Sequence, residues 1–188
     1  MKRSSRVAFA LVMLTAPTAG CGYNTIQTLD ERVNQAQGQI QTQLQRRSDL
    51  IPNLVNTVKG ITKQEDTVFI SIANARSRLG GAIQSGNVPE MAAANAQLTQ
   101  GLGRLIAISE NYPELRSSEN FRQLQDQLEG TENRISVARQ DYNTAVGEYN
   151  AYIRRFPYNL TAKIFGMGKP REYFEAQPGA AEAPKVQF

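Results

Sequence analysis

The sequence predicts an all-α fold: an up-and-down antiparallel bundle of about four long helices with coiled-coil-like packing. Two apolar stripes at helical spacing carry this expectation, and no strand-like alternation competes with them. The clearer stripe is Phe121, Leu124, Leu128, Thr131, Ile135, Ala138, Tyr142, Ala145, Tyr149, Tyr152 and Phe156, whose steps alternate three and four for about five heptads. A straight helix drifts against a 3.5-residue repeat, so the stripe implies a left-handed supercoiled seam along a helix from about residue 118 to 155. Pro157 ends it.

The other stripe begins at Ile26, Leu29, Val33, Ala36 and Ile40. After one extra step of four it continues as Leu44, Arg47, Ile51, Leu54, Val58, Ile61, Glu65, Val68, Ile72, Ala75 and Leu79. The extra step is a stutter that locally unwinds a supercoil. Pro52 lies inside this pattern, where it removes a backbone donor, so the helix is expected to kink or split near Asp49. The seam charges Arg47 and Glu65 are expected to run their stems to the bundle edge, although each can meet a charge on another helix.

Gly80-Gly81 and the stretch SGN at 85–87 are expected to break the pattern. Asn87, Pro89 and Glu90 then spell a helix start, with a cap, an early proline and an acid three residues on. The helix they open carries Met91, Ala94, Leu98, Leu102, Leu105 and Ile106 and should stop near Tyr112-Pro113. Ser117 is placed to cap the long final helix. Leu160 to Phe165 form a short apolar segment closed by Gly166, and after Phe174 the composition is that of a disordered tail. Short connections between long amphipathic helices favour antiparallel neighbours. The tyrosines Tyr142, Tyr149 and Tyr152 fall at seam positions, so they read as core with hydroxyls reaching the rim.

At the N-terminus Lys2, Arg3 and Arg6 precede an apolar run, Val7 to Leu14, in the manner of an export signal. A membrane-spanning helix needs roughly 20 apolar residues, and this run is shorter and meets Pro17. Thr18, Ala19 and Gly20 then lead to Cys21, the single cysteine of the chain. Small residues before a cysteine resemble a bacterial lipobox, in which the sulfur receives diacylglycerol and the cleaved end is acylated with a palmitate-type chain. Thr18 departs from the leucine usual at its position. Two or three acyl chains anchor stably where one binds marginally. The expected division is a lipoprotein-type signal peptide at 1–20, a helical bundle domain at 21–174 and a tail at 175–188.

Composition narrows the function. Of 188 residues about 168 remain after such a cleavage, enough for a buried core. The formal charge of +4 falls to +1, since three of the 21 basic residues precede Cys21 and 18 then face 17 acids. No basic face with a recognised motif points to nucleic acid; Arg46-Arg47, Arg76 with Arg78, and Arg154-Arg155 read as solvated helix edges. Histidine and tryptophan are absent, which removes the commonest general base and transition-metal ligand. No nucleophile elbow, phosphate loop or metal-ligand spacing appears. We therefore expect no enzymatic activity, catalytic residue, cofactor, metal or small-molecule substrate.

The stretch QLQRRSDLIPNLVNTVKG at 43–60 resembles the LemA family of bacterial membrane-associated helical proteins. The stretches at 110–150, from ENYPELRSS to AVGEYN, and at 154–176, RRFPYNLTAKIFGMGKPREYFEA, support it, as does GYNTIQTLDERV at 22–33. The resemblance implies a bundle of about four antiparallel helices carried outside the membrane by an N-terminal anchor, and it transfers no catalytic residue. Many relatives look single-pass, whereas this chain looks acylated at Cys21.

Within the shared motif, Arg46, Arg47, Asp49, Pro52 and Asn53 are the candidate structural or contact residues. Asp49 is placed to cap a restarted helix, and Asn53 to satisfy backbone freed by Pro52. The expected function is a lipid-anchored interaction or scaffold module of the bacterial cell envelope, with envelope proteins as partners. The alternatives are an interfacial membrane-shaping role, in which NLTAKIFGMGK at 159–169 dips into lipid, and a single-pass signal-anchored protein with an unrecognised hydrolase activity.

Overall fold

The structure, a computed structural model, describes residues 2–60 and 66–175, with side chains from Gly22 onward. The chain is all-α, a helical bundle with no strand among the described residues. Its elements are α1 (Lys2–Lys59), α2 (Asp66–Ser85), α3 (Val88–Ser109), α4 (Pro113–Ser117), α5 (Glu119–Tyr152) and α6 (Tyr158–Ile164). No helix among the described residues is long and apolar enough to cross a membrane. The chain falls into two compact units, Met1–Gln37 with Asp141–Glu172, and Gly38–Gln140 with Tyr173–Phe188.

The unit built on Gly38–Gln140 is an up-and-down arrangement. Gln41 meets Ile83, Arg76 reaches Ser48, and Lys59 lies over the Phe69 ring at 5.0 Å from its centroid, so α1 and α2 run in opposite directions. Between α2 and α3, Arg78 donates to Gln97 at 3.3 Å. Near the other end of that pair Ile72 packs on Gly101, where a Cβ would come within 2.9 Å of Ile72 Cγ1; only glycine lets these backbones approach so closely. Ile40, Leu44, Ile51, Leu54 and Val58 of α1 face Ile72, Leu79, Met91, Leu98, Leu105 and Phe121 in the buried set. Fully burying such a side chain stabilises the fold by roughly 1.5–3 kcal/mol.

Several helix boundaries differ from expectation. α1 runs unbroken through Pro52 to Lys59, and the turn comes at Gly60. α2 continues through Gly80 and Gly81, because Leu79 and Ala82 on either side are buried and hold the turn between them. The start at Asn87 is as read: its side chain accepts from the Glu90 amide at 3.1 Å. α3 stops at Ser109, and Pro113 opens the short α4 rather than only ending α3. Ser117 closes α4, its hydroxyl donating to the Glu114 carbonyl at 2.9 Å, and so does not cap α5.

In the unit built on Met1–Gln37 and Asp141–Glu172, Ile26 and Val33 of α1 and Tyr142, Val146, Tyr149 and Ile153 at the end of α5 are buried. The seam there steps 142, 146, 149, 153, so Val146 and Ile153 replace the expected Ala145, Tyr152 and Phe156. Phe156 is 79% exposed. The chain then turns through a cis Phe156-Pro157 bond into α6, which Gly166 follows at φ 73°. Residues 176–188, expected to be a disordered tail, lie outside the described residues, as do Ile61 and Glu65 of the seam.

Candidate functional site

Consecutive residues of a helix point about 100° apart, so the motif at 46–53 divides between core and solvent. Arg47, Ser48 and Ile51 are buried; Arg46, Asp49 and Asn53 are exposed and Pro52 is half-buried. Arg47 does not reach the bundle edge as expected. Its Nη1 donates to Asn95 Oδ1 of α3 at 2.8 Å and forms an ion pair with Glu132 of α5 at 2.5 Å. Two neighbouring helices bring acceptors to the same level, and a charge that meets both has no reason to travel outward. Burial pushes the Arg47 guanidinium below its ordinary pKa of 12.5, and the Glu132 carboxylate opposes that shift. Arg47 Nε is buried without a hydrogen-bond partner.

Pro52 leaves the carbonyl four residues earlier, that of Ser48, without its helical donor. Arg76 Nε of α2 supplies it at 2.9 Å. This is why the helix survives its proline, and it corrects the roles read for two neighbours. Asp49 sits in mid-helix and caps nothing; it accepts from Gln45 Nε2 at 2.8 Å. Asn53 is exposed and turned away from Ser48. Arg76 and Arg47, read as solvated edges, each instead tie α1 to a neighbouring helix.

The outward half of the motif lines an open groove of about 540 Å³ formed by Gln41, Thr42, Gln45, Arg46, Asp49, Leu50 and Ile83. Opposite charges at Arg46 and Asp49 flank the apolar Leu50 and Ile83, a composition suited to a polypeptide surface. Among the described residues no cluster of three or more His, Cys, Asp or Glu side chains is arranged to hold a metal.

A second set of polar contacts, invisible as a motif, closes the other unit. Asn150 accepts from the Arg171 amide at 2.8 Å and donates to the Arg171 carbonyl at 2.9 Å. Arg171 in turn donates through Nε and Nη2 to Asp30 Oδ1, at 3.1 and 2.7 Å, and through Nη2 to Asn34 at 3.3 Å. The Tyr142 hydroxyl donates to the Glu172 carbonyl at 2.8 Å and that of Tyr149 to the Met167 carbonyl at 2.9 Å. Both phenols are pushed above 10.0, chiefly by burial. The segment after α6 is thus fastened to α1 and α5 along 167–172. Asn150 and Arg171 carry no periodic or spacing signal, so nothing in the sequence points to them.

The Cys21 side chain lies outside the described ones. Its neighbour Gly22 is buried, and a Cβ there would meet Tyr158 Cδ1 at 2.6 Å. Tyr158 is itself stacked on Tyr152, with ring centroids 4.5 Å apart, and Tyr23 packs on Phe165 at 4.6 Å. The first two residues after the cysteine are therefore held directly by α6 and the residue that follows it.

The model described as LemA family matches residues 36–188 of the chain. Among characterised sequences, the magnetosome proteins MamQ 1 and MamQ 2 of Paramagnetospirillum magneticum are each 28% identical over 187 residues, covering 87% of this chain and 68% of theirs. The magnetosome protein MamQ of Magnetospirillum gryphiswaldense is 27% identical over 205 residues, covering 97% of this chain and 72% of its own.

Proposed function

The chain belongs to the LemA family, and from that premise we propose that it is a membrane-tethered, non-enzymatic helical module that acts by protein contact at the surface of the bacterial cell envelope. The tether is the N-terminal segment, in which a basic start and the apolar run Val7 to Leu14 lead to Cys21 as the acylated residue. The observation that carries this reading is the packing of Gly22 and Tyr23 under Tyr158 and Phe165. The residues directly after the cysteine are already packed on α6 and Phe165, with no spacer between them and Cys21, which suits a domain held against the bilayer.

Contact is assigned to the outward half of the motif, where Arg46 and Asp49 border Leu50 and Ile83. A buried network next to an exposed, mixed-polarity groove presents those side chains on a rigid backbone and so lowers the entropic cost of association. The relatives carry names that refer to a cell structure rather than a reaction, which is consistent with a structural role. A photo-crosslinking side chain placed at Arg46 of the full chain in its native membranes is expected to give a discrete protein adduct. The same group at the exposed Arg122 of α5 should give none. Protein that sits in the membrane fraction yet yields no adduct at Arg46 would defeat the contact reading.

A further inference from the structure

α6 has its apolar side chains on the wrong face for a core helix. Thr161 and Ala162 point inward and are buried, whereas the larger Leu160 and Ile164 are 52% and 79% exposed. Phe156, in the connection before the helix, and Phe165, just after it, are also exposed. Leu160 and Ile164 are four apart within α6 and share its outward face, and Phe156, in the turn that leads into the helix, is exposed beside them in sequence. From Arg154 to Arg171 the chain carries five basic residues and no acidic one. Of these, Arg154, Arg155, Lys163 and Lys169 are exposed, while Arg171 is engaged with Asp30.

We propose that the exposed apolar set of Phe156, Leu160, Ile164 and Phe165 is a lipid-contacting foot that lies in the interface of an anionic bilayer, the flanking lysines and arginines meeting its headgroups. The occupant follows from three features together. Large exposed apolar side chains beside a one-signed basic flank are the composition of an interfacial helix. The foot touches α1 through Tyr158 on Gly22 and Phe165 on Tyr23, one and two residues from Cys21. It is short and lies outside any span, so it enters the headgroup region and does not cross the bilayer. The inference rests on the tethering proposed above and adds to it a second, non-covalent membrane contact that fixes how the first unit meets the surface.

The chain has no tryptophan, so a single introduced one reports its own surroundings. Full-length Ile164→Trp and Leu160→Trp, each with unchanged circular dichroism, are reconstituted in vesicles with and without anionic lipid and recovered by flotation. On anionic vesicles both are expected to show blue-shifted emission and to lose most of their intensity to lipids brominated near the headgroup. Ile70→Trp, on an exposed site of α2, should do neither. Added salt or removal of the anionic lipid should reverse much of the quenching while the protein still floats. Floating protein whose reporters at 160 and 164 stay unquenched would overturn the foot and leave the tether standing. Emission that shifts with protein concentration instead of with lipid would also overturn it, in favour of a second copy of the chain. Protein that does not float would overturn the foot and the tether together.

Discussion

Arg47 brings a charge into a seam of aliphatic side chains, and its energetics depend on one nitrogen that serves two acceptors. Removing Glu132 leaves a buried guanidinium with only a neutral partner, and removing Arg47 strands Asn95. The Glu132 side chain is about half exposed at 47%, so water recovers part of its solvation. We expect Arg47→Met and Glu132→Ala each to cost about 2–4 kcal/mol, less than a fully buried pair. Arg47→Met with Glu132→Ala should cost clearly less than the two single losses combined. Denaturant unfolding of the four proteins checks this; strict additivity would mean the pair is uncoupled. Tyr142 and Tyr149 give a pH prediction. Their folded pKa values lie above the unfolded 10.0, so the protonated phenol is favoured in the fold. That stability is complete below pH 10 and is lost as pH rises through the higher folded values. The double Phe variant should be about 1–3 kcal/mol less stable at neutral pH, from two lost hydrogen bonds, and should lose less of its stability than the parent above pH 10. The seam position of these tyrosines was legible because periodicity records which face is buried. The carbonyls that accept from them were not, since those belong to a segment about 20 to 30 residues away whose path no periodic signal describes.

α1 shows how an element overrides a local rule. A proline in a helix interior costs about 3 kcal/mol relative to alanine, enough to predict a break, yet the seam on both sides of Pro52 stays buried through Ile51, Leu54 and Val58. Packing that many aliphatic side chains outweighs one lost hydrogen bond, and Arg76 compensates that loss directly. The bond from Arg76 to Ser48 should therefore matter only while the proline is present. We expect Arg76→Met to cost about 1–2 kcal/mol in the parent chain and nearly nothing beside Pro52→Ala, where the restored amide occupies the same carbonyl. Thermal unfolding of the single and double variants measures this coupling, and equal costs in both backgrounds would assign Arg76 some other role. The same balance accounts for Gly80 and Gly81, which a local reading takes as a break: Leu79 and Ala82 keep the helix on the core. The reading did succeed at Asn87, where cap, proline and acid all act within one turn and no distant partner is needed.

For the whole molecule the decisive residue is one whose side chain is not described, Cys21, and its neighbours Gly22 and Tyr23 show how it is placed. A glycine directly after a cysteine needs no structural reason if the pair is only a cleavage site, but Gly22 has one. The Tyr158 ring lies where a Cβ would be, so α1 is already packed on α6 at the residue next to the cysteine. The small residues before Cys21 were legible as a processing signal; that the residues immediately after it are packed emerges only from contacts with residues more than 130 positions away. Processing at residue 20 would leave this packing whole, since Gly22 and Tyr23 remain on the mature chain. Acylation at Cys21 would then set lipid directly beside the folded unit. Intact mass of the membrane-extracted protein is expected to match a chain beginning at Cys21 with added acyl mass, and Cys21→Ser should abolish both the added mass and the cleavage. An unmodified chain of full length would instead make Val7 to Leu14 the anchor, and Cys21 would then be a free thiol beside the first packed turn. A chain cut at residue 20 but bearing no lipid would leave the fold without a tether, and the contact surface at Arg46 and Asp49 would then have to act in solution.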